Sequence, residues 1–586
     1  MKEISVRAGG QAGDGIASVG DTIAKSFSRM GLHVFGLNSY QSVIRGGHVW
    51  FQARAGAERF YSQGDGCDVL YALDLQTAEV HLPTLRDGGV VIYDPEKFQI
   101  DPSKIPVGVS ALEVPTLALA RKHTPQSILQ NAAGVGACAY LAGIPLPLLH
   151  EAISDSFGKK KGEVVDWNLA CAADGYAHAQ SKRPPHPHAV ALAGPPKMLM
   201  TGNQAIALGA AAAGLKFLAQ YPMTPASTIM HWLAAHSMET GVVVKQAEDE
   251  LAAIHMAIGA SYGGVRAMTA TSGGGFSLMV EALGMAGMCE IPLVVVESQR
   301  SGPSTGLPTK TEQGDLALML GAGQGEFPRA ILAPSSPAEA YRAAVQAFAL
   351  AENWQTPVLL ASDLYLSESS ATVELAEIDF KVPIPSLRLE PGNGNGHSGE
   401  YLRYRYTESG VSPRSLPGQR GLQWTAASDE HDEKGHLISD VKSGIPHWVA
   451  ERKRMMDKRM HKLEGLAREA EPPVQEGPAQ ADLTIVTWGS TIGPVRDAMK
   501  ILAAKGRKVN LVHFPTVYPV HHERTMALLG AARRTLLIEA NFSGQFGRLL
   551  RTETGLHLTD RLLKYDGEPF YPMEIVGRAL ELLDGR

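Results

Sequence analysis

Two hydrophobic rhythms alternate along this chain: short unbroken runs of Val, Ile and Leu, and longer stretches with apolar residues three and four apart. The runs predict buried strands and the stretches predict helices. A first unit covers residues 1–180. Its opening run, 4–8, leads into GGQAGDG and then a helix over 16–30 that Gly31 ends. Further strands are expected at 33–37, 49–53, 69–73 and 90–93. Helices are expected at 127–144 and 146–157, divided by Pro145. The segment SKRPPHPH breaks all periodicity, so 181–200 reads as an extended linker.

A second unit, 201–379, alternates most clearly. Helical NQAIALGAAAAGLKFLAQYP is followed by VVVKQAEDELAAIHMAIGASY, AMTATSGGGFSLMVEALGMAG and the strand IPLVVVESQR. Continuous apolar strands followed by helices indicate a parallel sheet covered on both faces. Residues 380–480 are rich in Pro, Gly and charge and contain the basic helix HWVAERKRMMDKRMHKLEGLARE. They read as a covering segment laid over other domains. Residues 481–586 return to α/β, with DLTIVTWGS, VNLVHFP and RTLLIEAN as strands. The chain is therefore multi-domain α/β, and no 20–50-residue repeat marks it as a solenoid.

Composition narrows the function classes. A length of 586 residues suits three or four domains, and 44% hydrophobic with 19% charged residues is an ordinary globular balance. A net charge of -6 lacks the basic excess of a nucleic-acid binder. The opening MKEISVRAGG has no signal-peptide core, and apolar runs such as 291–296 fall far below the ~20 residues that span a bilayer. A cytoplasmic protein with no membrane or nucleic-acid partner is expected. Cys67, Cys138, Cys171 and Cys289 stand far apart with no C-x-x-C pair. The chain thus encodes no iron–sulfur or zinc site of its own, and no metal ligands are assigned.

The loop GGQAGDG sits where a dinucleotide fold carries its fingerprint, but Gly10, Gly13 and Gly15 give G-x-x-G-x-G rather than G-x-G-x-x-G. Asp14 would repel a pyrophosphate, and no acid follows the second strand to hold a ribose. A tight glycine turn accounts for the pattern, with an anion or coenzyme A contact at the helix start as the alternative.

Three segments of the second unit place polar groups at the C-terminal ends of strands, where open α/β sheets bind ligands. In YPMTPAST, Pro222 and Pro225 stiffen a turn, with Thr224 as the expected N-cap of the next helix. In KQAEDELAA, Glu248, Asp249 and Glu250 open a helix, where acids suit its dipole and where a buried one can hold a proton. ESQRSGPSTGLPTKTEQGD, residues 297–315, is a long loop with Arg300 and several hydroxyls, a match for carboxylate or phosphate. Each is equally explained without function, as a capped helix, a complemented dipole and a solvated loop.

Their order changes the balance. YPMTPAS resembles the YPITPSS motif, and RSGPSTGLPT resembles the R-G-G-P-S-T-G-L-P-T segment, of the 2-oxoacid:ferredoxin oxidoreductases. SVIRGGH at 42–48 resembles that family's γ domain, and SGVSPRSLPG, EHDEKGH and the basic helix resemble its linker. The likeness runs over nearly the whole chain and is to the fused γ–α subunit of the 2-oxoglutarate type. It implies a γ-type α/β domain, a doubly wound, pyrimidine-type thiamine-diphosphate domain and a transketolase-C-terminal-like α/β domain. It further implies a separate β subunit carrying the diphosphate, Mg²⁺ and a [4Fe–4S] cluster, with coenzyme A as co-substrate, ferredoxin as electron partner and an (αβ)₂ assembly. Under the resemblance Glu250, or failing it Glu248, hydrogen-bonds the cofactor's pyrimidine and promotes ylide formation. Thr224, Arg300 and Thr309 fall on substrate-contacting positions, and Arg45 is a further anion-binding candidate. Met223, Ala226 and Ser301 depart from the motifs without removing a charge.

Overall fold

The computed structural model describes residues 3–41, 46–126, 129–157, 162–380, 401–438 and 445–585. In the first stretch β1 (Glu3–Gln11) is followed by α1 (Ile16–Arg29), β2 (His33–Ser39), β3 (His48–Gly56), β4 (Cys67–Ala72), β5 (Leu85–Tyr93) and β6 (Ser110–Glu113). Helices α2 (Gln130–Ala142), α3 (Leu146–Phe157) and α4 (Glu163–Lys182) complete it. Only small residues let α2 and α4 approach so closely. A Cβ on Gly136 would stand 2.0 Å from the Ala172 carbonyl oxygen, and one on Gly175 would stand 1.9 Å from that of Ala133. The sequence does not foretell α4, because its alanines and scattered polar residues draw no clear apolar stripe.

The GGQAGDG loop is a tight turn. Gly13 and Gly15 take φ of 102° and 77°, and the Asp14 carboxylate folds back to accept the Gln11 N–H at 2.9 Å. The linker after α4 is pinned to the first sheet, where His188 Nδ1 lies 3.2 Å from Asp68 Oδ1.

The second stretch runs β7 (Met198–Thr201), α5 (Gly202–Ala212), β8 (Phe217–Gln220), α6 (Ser227–Ala235), β9 (Val243–Gln246), α7 (Glu250–Tyr262), β10 (Ala267–Thr271), α8 (Gly273–Met288) and β11 (Leu293–Gln299). It continues through β12 (Ala330–Leu332), α9 (Pro337–Trp354), β13 (Pro357–Asp363), α10 (Leu364–Glu368) and β14 (Ser370–Val373). The long helix α11 (Ile445–Glu469) precedes β15 (Val474–Glu476), β16 (Leu483–Trp488), β17 (Val509–Phe514), β18 (Thr516–Tyr518), β19 (Thr535–Glu539) and β20 (Asp560–Leu563).

Three sheets result. The first is mixed, in the order β6-β5-β4-β1-β3-β2-β14-β7, so β7 and β14 of the second stretch close an edge that β2 would otherwise leave open. The second, β18-β12-β13-β11-β10-β8-β9, is parallel except where β18 joins it. The third, β15-β17-β16-β19-β20, is parallel apart from β15. The second and third sheets share one core, in which Phe276 and Met279 of α8 cluster with Trp488, Phe514 and Phe546. Each such buried large side chain is worth roughly 1.5–3 kcal/mol, enough in sum to hold the second and third sheets and their helices in one body.

The basic helix α11 packs against the end of α8 and the turn that follows it. Lys458 and Lys462 set their ammonium groups 2.6 Å from the two carboxylate oxygens of Glu290. Arg403 donates to the Glu290 carbonyl at 2.8 Å. Among the described residues, no helix is long and apolar enough to cross a membrane.

Candidate active site

The parallel strands β8, β9, β10, β11 and β13 release their chains on one side of the second sheet, and the polar segments singled out in the sequence meet there. After β8 the YPMTPAST turn is held by amides from beneath. Asn203 donates to the Pro225 carbonyl at 2.8 Å and Gln220 to that of Ala226 at 3.0 Å. These contacts delay the helix. It opens at Ser227 with Ala226 at its N-cap, so Thr224 is not the cap expected of it. The freed Thr224 instead offers its carbonyl, which accepts from Arg300 Nη1 at 2.8 Å.

After β9, Asp249 caps α7 by accepting the Ala252 N–H at 2.7 Å. Glu250 then turns inward and is only 3% exposed, whereas Glu248 is exposed. The carboxylate of Glu250 accepts from the Thr271 hydroxyl at 3.4 Å, its one hydrogen-bond partner among the described residues. The same hydroxyl lies 3.8 Å from Met223 Sδ, which ties the YPMTPAST turn to the acid. Space for that carboxyl exists because α8 begins with three glycines. A Cβ on Gly275 would sit 2.3 Å from Glu250 Oε1 and 2.1 Å from Thr271 Oγ1.

After β11 comes the loop with Arg300. The strand runs through Gln299, as IPLVVVESQR suggests, so the loop read over 297–315 starts only at Arg300. The loop folds on itself through Ser301 N–H to the Lys310 carbonyl at 3.0 Å and Ser301 Oγ to Glu312 at 2.6 Å. Lys310 pairs with Glu568 of the third domain. Thr309 is half-buried in this loop. Arg45 lies outside the described residues.

The electrostatics of the region run against charge. Burial lowers the Arg300 pKa, opposed by the nearby groups of Tyr40 and Asp315. Tyr40 enters from the first domain, just beyond β2. Burial raises its phenol pKa, and the Glu368 carboxyl adds to that rise. Burial pushes Glu368 up to about 7, Asp363 to about 6 and Asp315 to about 6. Glu297, wholly buried, is pushed well above the carboxylate range by burial and then by Asp315. A half-buried cation beside several carboxyls of weakened acidity can bind a carboxylate and hold protons.

Sequence reasoning missed Thr271, Tyr40, Asn203, Gln220 and the glycines of α8. The run SGGG directly after a buried strand was a readable sign of a close approach at a helix start. Asn203 and Tyr40 carried no local sign, since their partners are distant in sequence.

These features define a class: oxidoreductase subunits with a thiamine-diphosphate-binding domain between two further α/β domains. Residues 208–448 match the family described as pyruvate flavodoxin/ferredoxin oxidoreductase, thiamine-diphosphate binding. Residues 5–178 match pyruvate ferredoxin/flavodoxin oxidoreductase, and 474–562 match the transketolase C-terminal domain. The chain is 33% identical to the 2-oxoacid:ferredoxin oxidoreductase subunit alpha of Sulfolobus sp, over 98% of this chain and 96% of that one. It is 30% identical to the 2-oxoglutarate oxidoreductase subunit KorA of Mycobacterium tuberculosis, over 100% and 92%. A solved 2-oxoglutarate:ferredoxin oxidoreductase from Magnetococcus marinus, with 2-oxoglutarate, coenzyme A and succinyl-CoA bound, superposes with a TM-score of 0.91 at 36% identity, covering 99% of both chains. The chain belongs to the 2-oxoacid:ferredoxin oxidoreductase family, as an alpha subunit.

Proposed function

We propose that this alpha subunit serves a 2-oxoglutarate:ferredoxin oxidoreductase, converting 2-oxoglutarate, coenzyme A and two oxidised ferredoxins to succinyl-CoA, CO₂, two reduced ferredoxins and a proton, reversibly. The observation that carries this reading is Glu250, a buried acid with a single hydroxyl partner among the described residues, linked through the YPMTPAST turn to the strand end that carries Arg300. The residues fit a pyrimidine ring. Glu250 has capacity left to hydrogen-bond a ring nitrogen, and Gly275 leaves the room in which its carboxyl sits. Thiamine diphosphate, when bound, supplies the nucleophilic carbon and the electron sink for decarboxylation.

The chain's own residues do the rest. Glu250 accepts or returns a proton at the pyrimidine, a role to which its burial suits it better than the exposed Glu248. Arg300 binds a substrate carboxylate, and its bond to the Thr224 carbonyl aims the guanidinium. The hydroxyls of Thr224 and Thr309, and Arg45, complete the substrate contacts. A second subunit supplies the diphosphate and Mg²⁺ site and the [4Fe–4S] cluster that passes electrons to ferredoxin, in an (αβ)₂ assembly. The 2-oxoglutarate preference is supported by the named relatives.

The test is anaerobic, coenzyme A-dependent reduction of a low-potential dye by 2-oxoglutarate. The chain is assayed alone and with its co-expressed partner, thiamine diphosphate and Mg²⁺. Turnover is expected only in the mixture, and Glu250→Ala should lower it ~10²–10⁴-fold with assembly intact. Turnover with pyruvate in place of 2-oxoglutarate would correct the substrate. Absence of turnover with every 2-oxoacid would overturn the reading.

A further inference from the structure

Behind Arg300 the second sheet carries an acid that the proposed chemistry does not use. Thr271, Glu297 and Ala361 are in register across β10, β11 and β13, so their side chains share one face. That is the face on which Thr271 meets Glu250. Glu297 is 0% exposed, and among the described residues no donor reaches either of its oxygens. Its hydrogen-bonding neighbour is the Asp315 carboxyl. Two carboxyls that face each other, Glu297 wholly buried and Asp315 half-buried, do not both ionise, so one holds a proton between them.

The surroundings say which one. Asp315 lies over the start of α8, where a Cβ on Gly273 would be 2.4 Å from its Oδ2. Ser272 gives that helix no side-chain cap, so the negative charge is best placed on Asp315, at the positive end of a sixteen-residue helix. Arg300 favours charge on Asp315 as well, while Glu312 opposes it. Glu297 faces only acids: Asp315 from the loop and Asp363 from β13, with Glu250 of α7 beyond Thr271. The proton therefore resides on Glu297.

Asp315 is also where the 300–315 loop returns to the sheet, its N–H donating to Gln299 Oε1 at 3.0 Å. We propose that Glu297 is a positioning residue: its protonated carboxyl donates to the Asp315 carboxylate and closes the base of the loop that carries Arg300. Substrate capture then depends on one buried proton. Loss of that proton to solvent sets two negative charges against each other and opens the loop's base. The kinetic side of this inference rests on the proposed function, and the structural side does not.

Deuterium exchange of the loop amides 301–314, in the assembled enzyme without substrate, separates the two. Corrected for intrinsic rates, exchange in the wild type should rise about tenfold or more between pH 7 and pH 10, as expected when a hydrogen bond to a charged group is lost. Glu297→Gln, whose carboxamide donates at every pH, should be flat over that range. Glu297→Ala should exchange fast already at pH 7. In parallel the wild-type KM for the 2-oxoacid should climb with pH while kcat holds, and Glu297→Gln should abolish the climb. Flat wild-type exchange, or a Glu297→Gln variant that keeps the wild-type pH dependence, would overturn the proposal. The first result together with loss of turnover in Glu250→Ala leaves the proposed function standing. A pH-dependent loop in an enzyme that turns over no 2-oxoacid does the reverse.

Discussion

Glu290, just before β11, and Glu297, near its C-terminal end, both have no exposed surface, and they live by opposite rules. At the N-terminal end, burial works against the Glu290 charge, but Lys458 and Lys462 outweigh it and hold the carboxyl well below the usual range. At the C-terminal end Glu297 meets no cation and keeps its proton. The first is a structural lock that fastens helix α11 to the second domain. The second belongs to the end where the sheet releases its functional loops, and there unneutralised carboxyls accumulate. Burial alone does not tell a lock from a working acid; the sign of what faces it does. Glu290 even occupies a left-handed backbone position, φ 53°, where glycine would be more at ease. Its carboxylate is worth more to the fold than the relaxed backbone.

The contrast is broken most severely by Glu290→Gln. Two buried lysines lose their counter-ion, and removing one partner of a buried pair costs about 3–5 kcal/mol. A clear fall in the denaturation midpoint is expected, together with easier proteolysis of α11. An unchanged midpoint would show that the lock carries no weight.

Next in size is Gly275→Ala, whose methyl would displace Glu250 and Thr271. Misplacing a catalytic group by about 1 Å costs on the order of 10²-fold in rate. Gly274→Ala is the control one residue away, because nothing lies within 4 Å of its Cβ position. Equal activity in the two variants would remove Gly275 from the site.

The pH dependence sharpens the comparison further. A carboxyl held low in the fold, like Glu290, adds stability that is present above its ordinary value of 4.5 and is lost as pH falls. The gap between wild type and Glu290→Gln should therefore shrink in acid. A carboxyl pushed up, like Asp363 at about 6 from an ordinary 3.8, has its full effect below the lower value and loses it as pH rises towards the upper. Asp363→Asn should gain on the wild type between pH 4 and pH 6, and opposite slopes for the two variants in thermal melts would bear this out.

The smallest effect belongs to Glu297→Gln. The amide keeps a donor towards Asp315 and removes a group that is costly to ionise. At neutral pH the melting temperature should match or slightly exceed that of the wild type, and a large fall would mean that Glu297 is ionised and paired.

Much of this was legible in the chain. The second domain's strands are continuous apolar runs, and the YPMTPAST and RSGPSTGLPT segments lie at strand ends, where Thr224 and Arg300 meet. Other features have no local trace. The cap at Ala226 is decided by amides of Asn203 and Gln220 from another helix and strand. Glu297 falls within both the strand IPLVVVESQR and the loop read over 297–315, because nothing nearby in sequence says that it continues the sheet face of Thr271. Tyr40 joins the site through tertiary contact alone. The helix Glu163–Lys182 escaped because alanine and glycine pack closely without drawing an apolar stripe.

The first sheet's last partner has a consequence for how the protein is made. β2 is complete by residue 39, but β14, which covers its edge, is not synthesised until residue 370 has left the ribosome. During that interval a growing chain displays unpaired backbone groups along a strand whose other side is already bonded, the condition under which strands pair with the wrong neighbour. Slow elongation or truncation between the two should therefore be felt as aggregation of the first domain.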